Sequence, residues 1–192
     1  MLRCLPSEPA DPNLAPQATN LTPRVRKHAS RVRKLALSWT GEPGRVEELT
    51  HGQLLDQSER AAAALARFGV RAGDRVAVHL PLVPESVIAT LACGRIDAVR
   101  SSLPVSLRAP EIAGRLRSSG ANVVITADAG FWDGAVRPVK ATLDRALAGG
   151  GTDVRTVLVV SRCPRPVAWR PGRDHWWHES LAAGRSGRTL EG

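Results

Sequence analysis

The sequence predicts an α/β fold, a mostly parallel sheet with flanking helices, and three observations predict it. A Gly73-Asp74 turn leads into Arg75-Val76-Ala77-Val78-His79-Leu80, which suits a buried strand, and Pro81 cannot continue it. Pro84 and Pro110 then each open a stretch with helical spacing, and each stretch is followed by a strand-like run, giving β-α-β-α-β between Ala72 and Thr126. Val154 to Val160 is a run of β-branched and apolar residues of the kind buried on both faces of a parallel sheet. A helix of ten or more residues between strands is how parallel neighbours are joined, so the units imply one sheet covered by its crossovers.

Taken in order, residues 1–19 hold Pro6, Pro9, Pro12 and Pro16 and read as a disordered leader. Residues 20–184 read as the folded domain and 185–192 as a flexible tail. Leu35 to Trp39 suits a strand, and Gly41-Glu42-Pro43-Gly44 suits a turn. Thr50-His51-Gly52-Gln53 fits a capping box, with the threonine oxygen accepting an N–H three residues on and the glutamine reaching back. Behind it Leu54, Leu55, Ala61, Ala62, Leu65 and Phe68 make an apolar helical face, and Gly69 suits the left-handed position after the last turn.

The helix from Pro84 places Val87, Ile88, Leu91, Ala92 and Ile96 on one face. Ala98 to Leu103 reads as a strand, Pro110 to Ser119 as a helix ended by Gly120, and Asn122 to Thr126 as a third strand. Asp128 to Gly134 is rich in turn residues. Pro138 to Leu147 forms a helix with Val139, Leu143, Ala146 and Leu147 on one side, broken by Gly149-Gly150-Gly151. After a Cys163-Pro164-Arg165-Pro166 loop, Trp169, Trp176 and Trp177 are read as pinning a helix start to the sheet, with a ligand-stacking platform as the alternative.

Composition narrows the functional classes. Twenty-seven basic residues stand against 18 acidic ones, a formal charge of +9, and Arg24, Arg26, Lys27, Arg31, Arg33 and Lys34 concentrate that excess. Such a cluster attracts phosphate-bearing partners or lies as a solvated face. No aromatic residue interleaves with it as single-strand binders require, which favours the solvated face and argues against a nucleic-acid partner. Cys4, Cys93 and Cys163 lack zinc or disulfide spacing and fit a reducing compartment, with Cys93 read as a small buried residue. No apolar run reaches the ~20 residues of a membrane span, and residues 1–18 lack the apolar core of a secretory signal. A cytoplasmic protein without a membrane partner is expected.

Several blocks carry a resemblance. Trp39-Thr40-Gly41-Glu42-Pro43-Gly44, Leu49-Thr50, Gly73 to Val78, Leu80-Pro81-Leu82-Val83-Pro84-Glu85, Leu91-Ala92-Cys93, Val124 to Asp128, and Gly172-Arg173-Asp174-His175-Trp176-Trp177-His178 resemble, in order and spacing, successive blocks of AMP-forming acetyl-CoA synthetases. The resemblance spans about residues 20 to 180. It implies an incomplete N-terminal subdomain of the adenylate-forming ligase fold, from a family that activates acetate with ATP and Mg²⁺ to acetyl-AMP and passes the acetyl group to CoA.

The same resemblance shows what is missing. The family holds the triphosphate with a Thr-Ser-Gly-Ser-Thr-Gly-type loop followed by lysine, and the 192 residues contain none. Gly149-Gly150-Gly151 is no substitute, because it follows a helix and lacks an adjacent Lys-Ser/Thr. The chain is therefore expected to be a truncated or divergent fragment, inactive alone, needing no cofactor by itself, whose partner is the missing remainder of a synthetase or a full-length one. A non-enzymatic binding or regulatory module, using the basic patch or docking to a full-length synthetase, is the alternative.

Two departures fall inside the matched region. The family's turn that presents Arg-x-Gly-Arg to the nucleotide phosphates of CoA is occupied here by Trp132, Asp133, Gly134 and Ala135. These are the candidate cofactor-binding positions, with both arginines lost, and charge-assisted hydrogen bonds contribute ~1.5–3 kcal/mol each. Arg137 and Lys140 lie close enough in sequence to compensate in part. The family's Phe-Gly-Gly-Phe is Pro104-Val105-Ser106-Leu107, and Val105 cannot enter positive φ without strain. Among titratable residues, His51, His79, His175 and His178 read as surface or capping histidines, and Glu85 and Asp174 as carboxylates at helix N-termini. No catalytic or metal-binding constellation is found.

Overall fold

The computed structural model describes residues 34–42 and 44–183. The 1–19 leader, Cys4, the basic residues from Arg24 to Arg33, Pro43 and the 185–192 tail lie outside the described residues.

The first element is a hairpin of two antiparallel strands, β1 (Leu35–Glu42) and β2 (Arg45–Thr50), with Glu42 opposite Arg45. Gly41 and Glu42, which composition assigns to a turn, belong to the strand. Thr50 ends β2 and caps α1 (His51–Arg67). Gln53 N donates to Thr50 Oγ1 at 3.3 Å and Thr50 N donates to Gln53 Oε1 at 2.9 Å, which closes the expected box. Gly69 takes φ +85°, the left-handed position its sequence forecast.

Five parallel strands follow: β3 (Arg75–His79), β4 (Val99–Ser102), β5 (Val123–Ala127), β8 (Thr156–Val160) and β9 (Asp174–Trp176), in the order β4-β3-β5-β8-β9. Helices α2 (Pro84–Arg95), α3 (Ala109–Ser119) and α4 (Val139–Ala148) lie in the connections, and α5 (Trp177–Ala182) follows β9. Residue alternation divides the core between the two faces. Val76, Val78, Ile125 and Leu158 pack with Leu65, Ile88 and Trp177, whereas Ala77, Val124, Val157 and Val159 pack with Ile112, Leu116 and Leu143. The sheet is therefore covered on both sides, as a parallel sheet requires.

Some side chains sit elsewhere than their spacing suggests. Leu55, Val87 and Leu91 are exposed, and the buried residues of α2 are Pro84, Ile88, Ala89, Ala92 and Cys93. The small residues let α2 approach the sheet and α1 closely, which rotates the helix away from its larger apolar side chains. Trp177 is buried at the start of α5, and Trp169 lies 4.7 Å from Trp176 between ring centroids. Trp177 thus pins the start of the final helix to the sheet, whereas Trp169 is exposed and stacks on Trp176 of β9. The segment after Asp128 is not merely a turn, since β6 (Gly130–Trp132) and β7 (Ala135–Arg137) form a second antiparallel hairpin. At its tip Asp133 and Gly134 have φ of 53° and 71°, the two consecutive positive values that an Asp-Gly hairpin turn supplies.

His79 corrects another expectation, because it is fully buried. Its Nδ1 lies 3.1 Å from the Leu103 carbonyl, so Nδ1 carries the proton, and Nε2 has no partner among the described residues. Burial pushes the His79 pKa below its ordinary value of 6.5, against the opposing pull of the Leu103 hydrogen bond. The unfolded chain then binds a proton that the folded chain resists. The stabilisation is complete above pH 6.5 and is lost as pH falls from there through the lower, folded-state pKa. Thermal melts at pH 7.5 and 5.5 should show a larger drop for the parent chain than for His79→Leu. Equal drops would show that His79 does not contribute to acid sensitivity.

Candidate functional site

The first parallel strand in the chain, β3, lies between the second, β4, and the third, β5, so successive connections leave β3 on opposite sides. In open α/β sheets the crevice outside the carboxyl ends of such strands is where ligands bind. A cleft of about 520 Å³ lies there, within the range of small-molecule sites. Pro81, Leu82 and Val83 reach it from the end of β3, Val105 from the end of β4, and Phe131 and Trp132 from the hairpin after β5. Trp39 and Glu42 close it from β1.

Two glycines seat the tryptophans. A Cβ on Gly41 would stand 2.5 Å from the Trp39 ring, and one on Gly130 would stand 2.8 Å from the Trp132 ring and 3.1 Å from Pro81 Cγ. Trp39 Nε1 donates to the Leu82 carbonyl at 2.5 Å, which fixes the indole and joins the hairpin to the loop after β3. Val105 does not have positive φ. The chain turns there instead with Leu107 N donating to Pro104 O at 3.1 Å, so the loss of the glycine pair brings no backbone strain and places an isopropyl group in the cleft.

The floor beside the cleft is ionic. The Arg162 side chain is fully buried and its guanidinium lies 4.6 Å from the Trp39 ring. Arg162 Nε and Nη2 each donate to Glu42 at 3.1 Å, and Nη1 lies 2.9 Å from Glu47 Oε1 and 3.2 Å from Glu85 Oε2. Arg45 pairs with Glu42 and Glu47 at 3.3 and 2.6 Å. Burial alone would lower the Arg162 pKa, but the Glu42 hydrogen bonds and the charges of Glu85, Glu42 and Glu47 hold it above its ordinary value. Burial also raises the Glu85 carboxyl, against the lowering pull of Arg162. Glu85 does stand in the first turn of α2, as expected, but its main partner is this arginine.

Groups that commonly hold anions are already engaged. At the start of α2, Pro84 has no N–H and Ser86 N donates to Val83 O at 2.9 Å. Asp128, at the end of β5, accepts from Ala129 N, Arg162 N and Cys163 N at 2.6, 2.8 and 3.2 Å. It joins β5 to the loop after β8 and has no reactive geometry. Burial raises the Cys93 and Cys163 thiols above their ordinary values, so neither is disposed to act as a thiolate. Among the described residues no three His, Cys, Asp or Glu side chains are grouped to hold a metal ion, and no helix is long and apolar enough to cross a membrane.

The four candidate cofactor-binding positions occupy one hairpin. Trp132 lines the cleft, Asp133 and Gly134 form the exposed tip, and Ala135 pairs with Trp132 across it. Arg137 stands opposite Gly130, away from the tip, and does not line the cleft. Lys140 cannot compensate either: it is fully buried, with Nζ 2.8 Å from both Asp144 and Asp174 and donating to Ala168 O at 2.6 Å. Asp174 is correspondingly a strand residue engaged by Lys140, Arg173 and Arg170 N, and caps no helix. Among the other histidines, His51 and His178 are exposed, and His175 lies 4.8 Å from the Phe68 ring. Sequence reasoning missed Arg162 entirely, since nothing about an arginine between Ser161 and Cys163 signals burial. The Asp133-Gly134 pair was a usable signal for the second hairpin.

A family model described as AMP-binding enzyme matches residues 25–186. The chain is 43% identical over 158 residues to an acetyl-coenzyme A synthetase of Streptomyces avermitilis, covering 82% of this chain and 24% of that one. It is 42% identical over 160 residues to that of Mycobacterium tuberculosis, covering 82% and 25%, and 43% identical over 148 residues to that of Halorhodospira halophila, covering 77% and 23%. It thus spans about a quarter of the length of these curated relatives.

Proposed function

This chain belongs to the AMP-binding enzyme family, and from that premise we propose that it is a scaffold portion of an acetate–CoA ligase that is catalytically inactive alone. The parent reaction joins acetate, ATP and CoA to give acetyl-CoA, AMP and pyrophosphate. The observation that carries this reading is the state of the cleft: among the described residues its aromatic lining offers no free cation, and at the nearby helix start Pro84 has no N–H and Ser86 N is given to Val83 O. Adenylation needs donors around the triphosphate and a carboxylate that holds Mg²⁺. Glu42, Glu47 and Glu85 do not fit that metal, because Arg162 and Arg45 already engage all three carboxylates. Trp132, Asp133, Gly134 and Ala135 do not fit the phosphates of CoA, since they bring a carboxylate and no cation.

On this reading ATP, Mg²⁺ and CoA are bound by a complete ligase and not by this chain, whose partner is the remainder of a synthetase or a full-length one in the cytoplasm. Neither a membrane nor a nucleic acid is its partner. Purified chain should show no acetate-dependent exchange of pyrophosphate into ATP. Robust exchange would overturn the proposal. The second reading, a non-enzymatic module that docks to a full-length synthetase, is favoured by the exposed Leu82 before α2, Val87 and Leu91 on it, and Val99 on β4, an edge strand among the described residues. Co-purification with a full-length acetyl-CoA synthetase tests it, and absence of a complex at micromolar concentrations removes it.

A further inference from the structure

Two polar atoms lie side by side inside the sheet with nothing to bond. His79 and Thr126 are fully buried, and among the described residues neither His79 Nε2 nor Thr126 Oγ1 has a hydrogen-bond partner. The two residues are register partners on the adjacent parallel strands β3 and β5. Their side chains therefore leave the sheet on the same face as close neighbours. Ala77 and Val124, two residues earlier in each strand, pack on that face with Ile112, Leu116 and Leu143. Leu103, beyond β4, and Val159, opposite Thr126 on β8, flank the pair there, and both are apolar.

The bonding capacities of the pair match one small ligand. His79 Nδ1 is given to the Leu103 carbonyl at 3.1 Å, which holds the ring from the β4 side and directs Nε2, an acceptor only, away from it. Thr126 Oγ1 can both donate and accept. A direct bond from this hydroxyl to Nε2 would satisfy both groups at once, yet the two are not bonded. Water can donate one proton to Nε2 and use its remaining capacity on the threonine, and buried water characteristically bridges polar groups that the protein itself leaves unpaired.

We propose that His79 Nε2 and Thr126 Oγ1 together bind one buried water molecule. A line from the Leu103 carbonyl through His79 and the water to Thr126 then crosses the carboxyl ends of β4, β3 and β5. Each of these strands feeds a segment that lines the cleft: Pro81 to Val83 follow β3, Val105 follows β4, and Phe131 and Trp132 follow β5. The water thus belongs to the support of the cleft. Pyrophosphate exchange reports on the scaffold reading and leaves this site untouched.

Two measurements on the full chain test it. In a high-resolution crystal structure, density for one water should lie about 2.7–3.2 Å from both His79 Nε2 and Thr126 Oγ1. In ¹⁵N NMR at pH 7.5, His79 Nδ1 should resonate as a protonated nitrogen and Nε2 as a hydrogen-bonded, unprotonated one. Thr126→Val leaves the water one partner where buried waters need two or more, so Nε2 should move downfield towards an unbonded nitrogen while Nδ1 stays. Thr126→Ser keeps the hydroxyl and should leave Nε2 at the parent position. No density between the two atoms, a direct bond from Thr126 to His79, or an unmoved Nε2 resonance in folded Thr126→Val overturns the proposal. Should Thr126→Val not fold, the density in the parent chain decides.

Discussion

Replacing Arg162 with alanine is expected to destabilise the chain by about 3–5 kcal/mol, the range seen when one partner of a buried ion pair is removed. The cost arises from what stays behind. Glu42, Glu47 and Glu85 would remain close together with, among the described residues, only the partly exposed Arg45 paired to the group. The loss should fall on one interface, because Arg162 joins the β1–β2 hairpin to the start of α2 and to the loop after β8. At about 2–4 °C per kcal/mol for a domain of this size, the melting midpoint should drop on the order of 6–20 °C. Arg162→Lys should recover little, since an ammonium cannot address Glu42 through two nitrogens while also facing Glu47 and Glu85. Adding Glu85→Gln to Arg162→Ala should restore part of the loss. A normal melt for Arg162→Ala would mean that the hairpin is not held by these charges.

Asp174→Ala should have an effect of similar size at the far side of the sheet, again about 3–5 kcal/mol. Asp174 and Lys140 are both fully buried and 2.8 Å apart, and Arg173 Nε donates to Asp174 at 2.6 Å. Without the carboxylate Lys140 keeps Asp144 and the Ala168 carbonyl, but two cations would then share one half-exposed partner. The titration has a definite sign. Burial alone would raise the Asp174 carboxyl, yet Arg173, Lys140 and the Arg170 N–H outweigh it and hold the group below its ordinary value of 3.8. Its stabilisation is therefore complete above pH 3.8 and is lost as pH falls from there through the lower, folded-state pKa. Urea unfolding between pH 5 and pH 3 should be steeply pH-dependent in the parent chain and flatter in Asp174→Asn. Parallel curves would assign the acid sensitivity to other groups.

The elements that sequence reveals here are those set by local chemistry. Thr50 and Gln53 form their cap from within four residues, Gly69 and Gly120 end helices by their own backbone freedom, and Val157 to Val160 cannot avoid a doubly buried strand. The AMP-binding family blocks span these same units, so fold and family were legible together. What local chemistry does not contain was missed. The exposure of Val87 and Leu91 depends on how closely the small residues of α2 let it approach its neighbours, which periodicity does not encode.

The ionic groups illustrate the same limit. Lys140 lies on the buried face of α4 because Asp174, more than thirty residues later, meets it there, and Arg162 is buried by three glutamates spread along the chain from Glu42 to Glu85. Each is a polar residue that burial would forbid without partners unidentifiable from its own segment. The cleft was half legible. Val105 and Trp132 stood out as separate departures from the family pattern, and only the sheet order brings both to the carboxyl ends of neighbouring strands.

A scaffold portion of a ligase that is inactive alone should not hold phosphates. Calorimetry of the purified chain with Mg·ATP, and separately with coenzyme A, addresses that without relying on turnover. Neither titration should give a saturable heat at millimolar ligand. A stoichiometric, saturable isotherm with either nucleotide would contradict the assignment of the chain as a scaffold without phosphate-gripping groups.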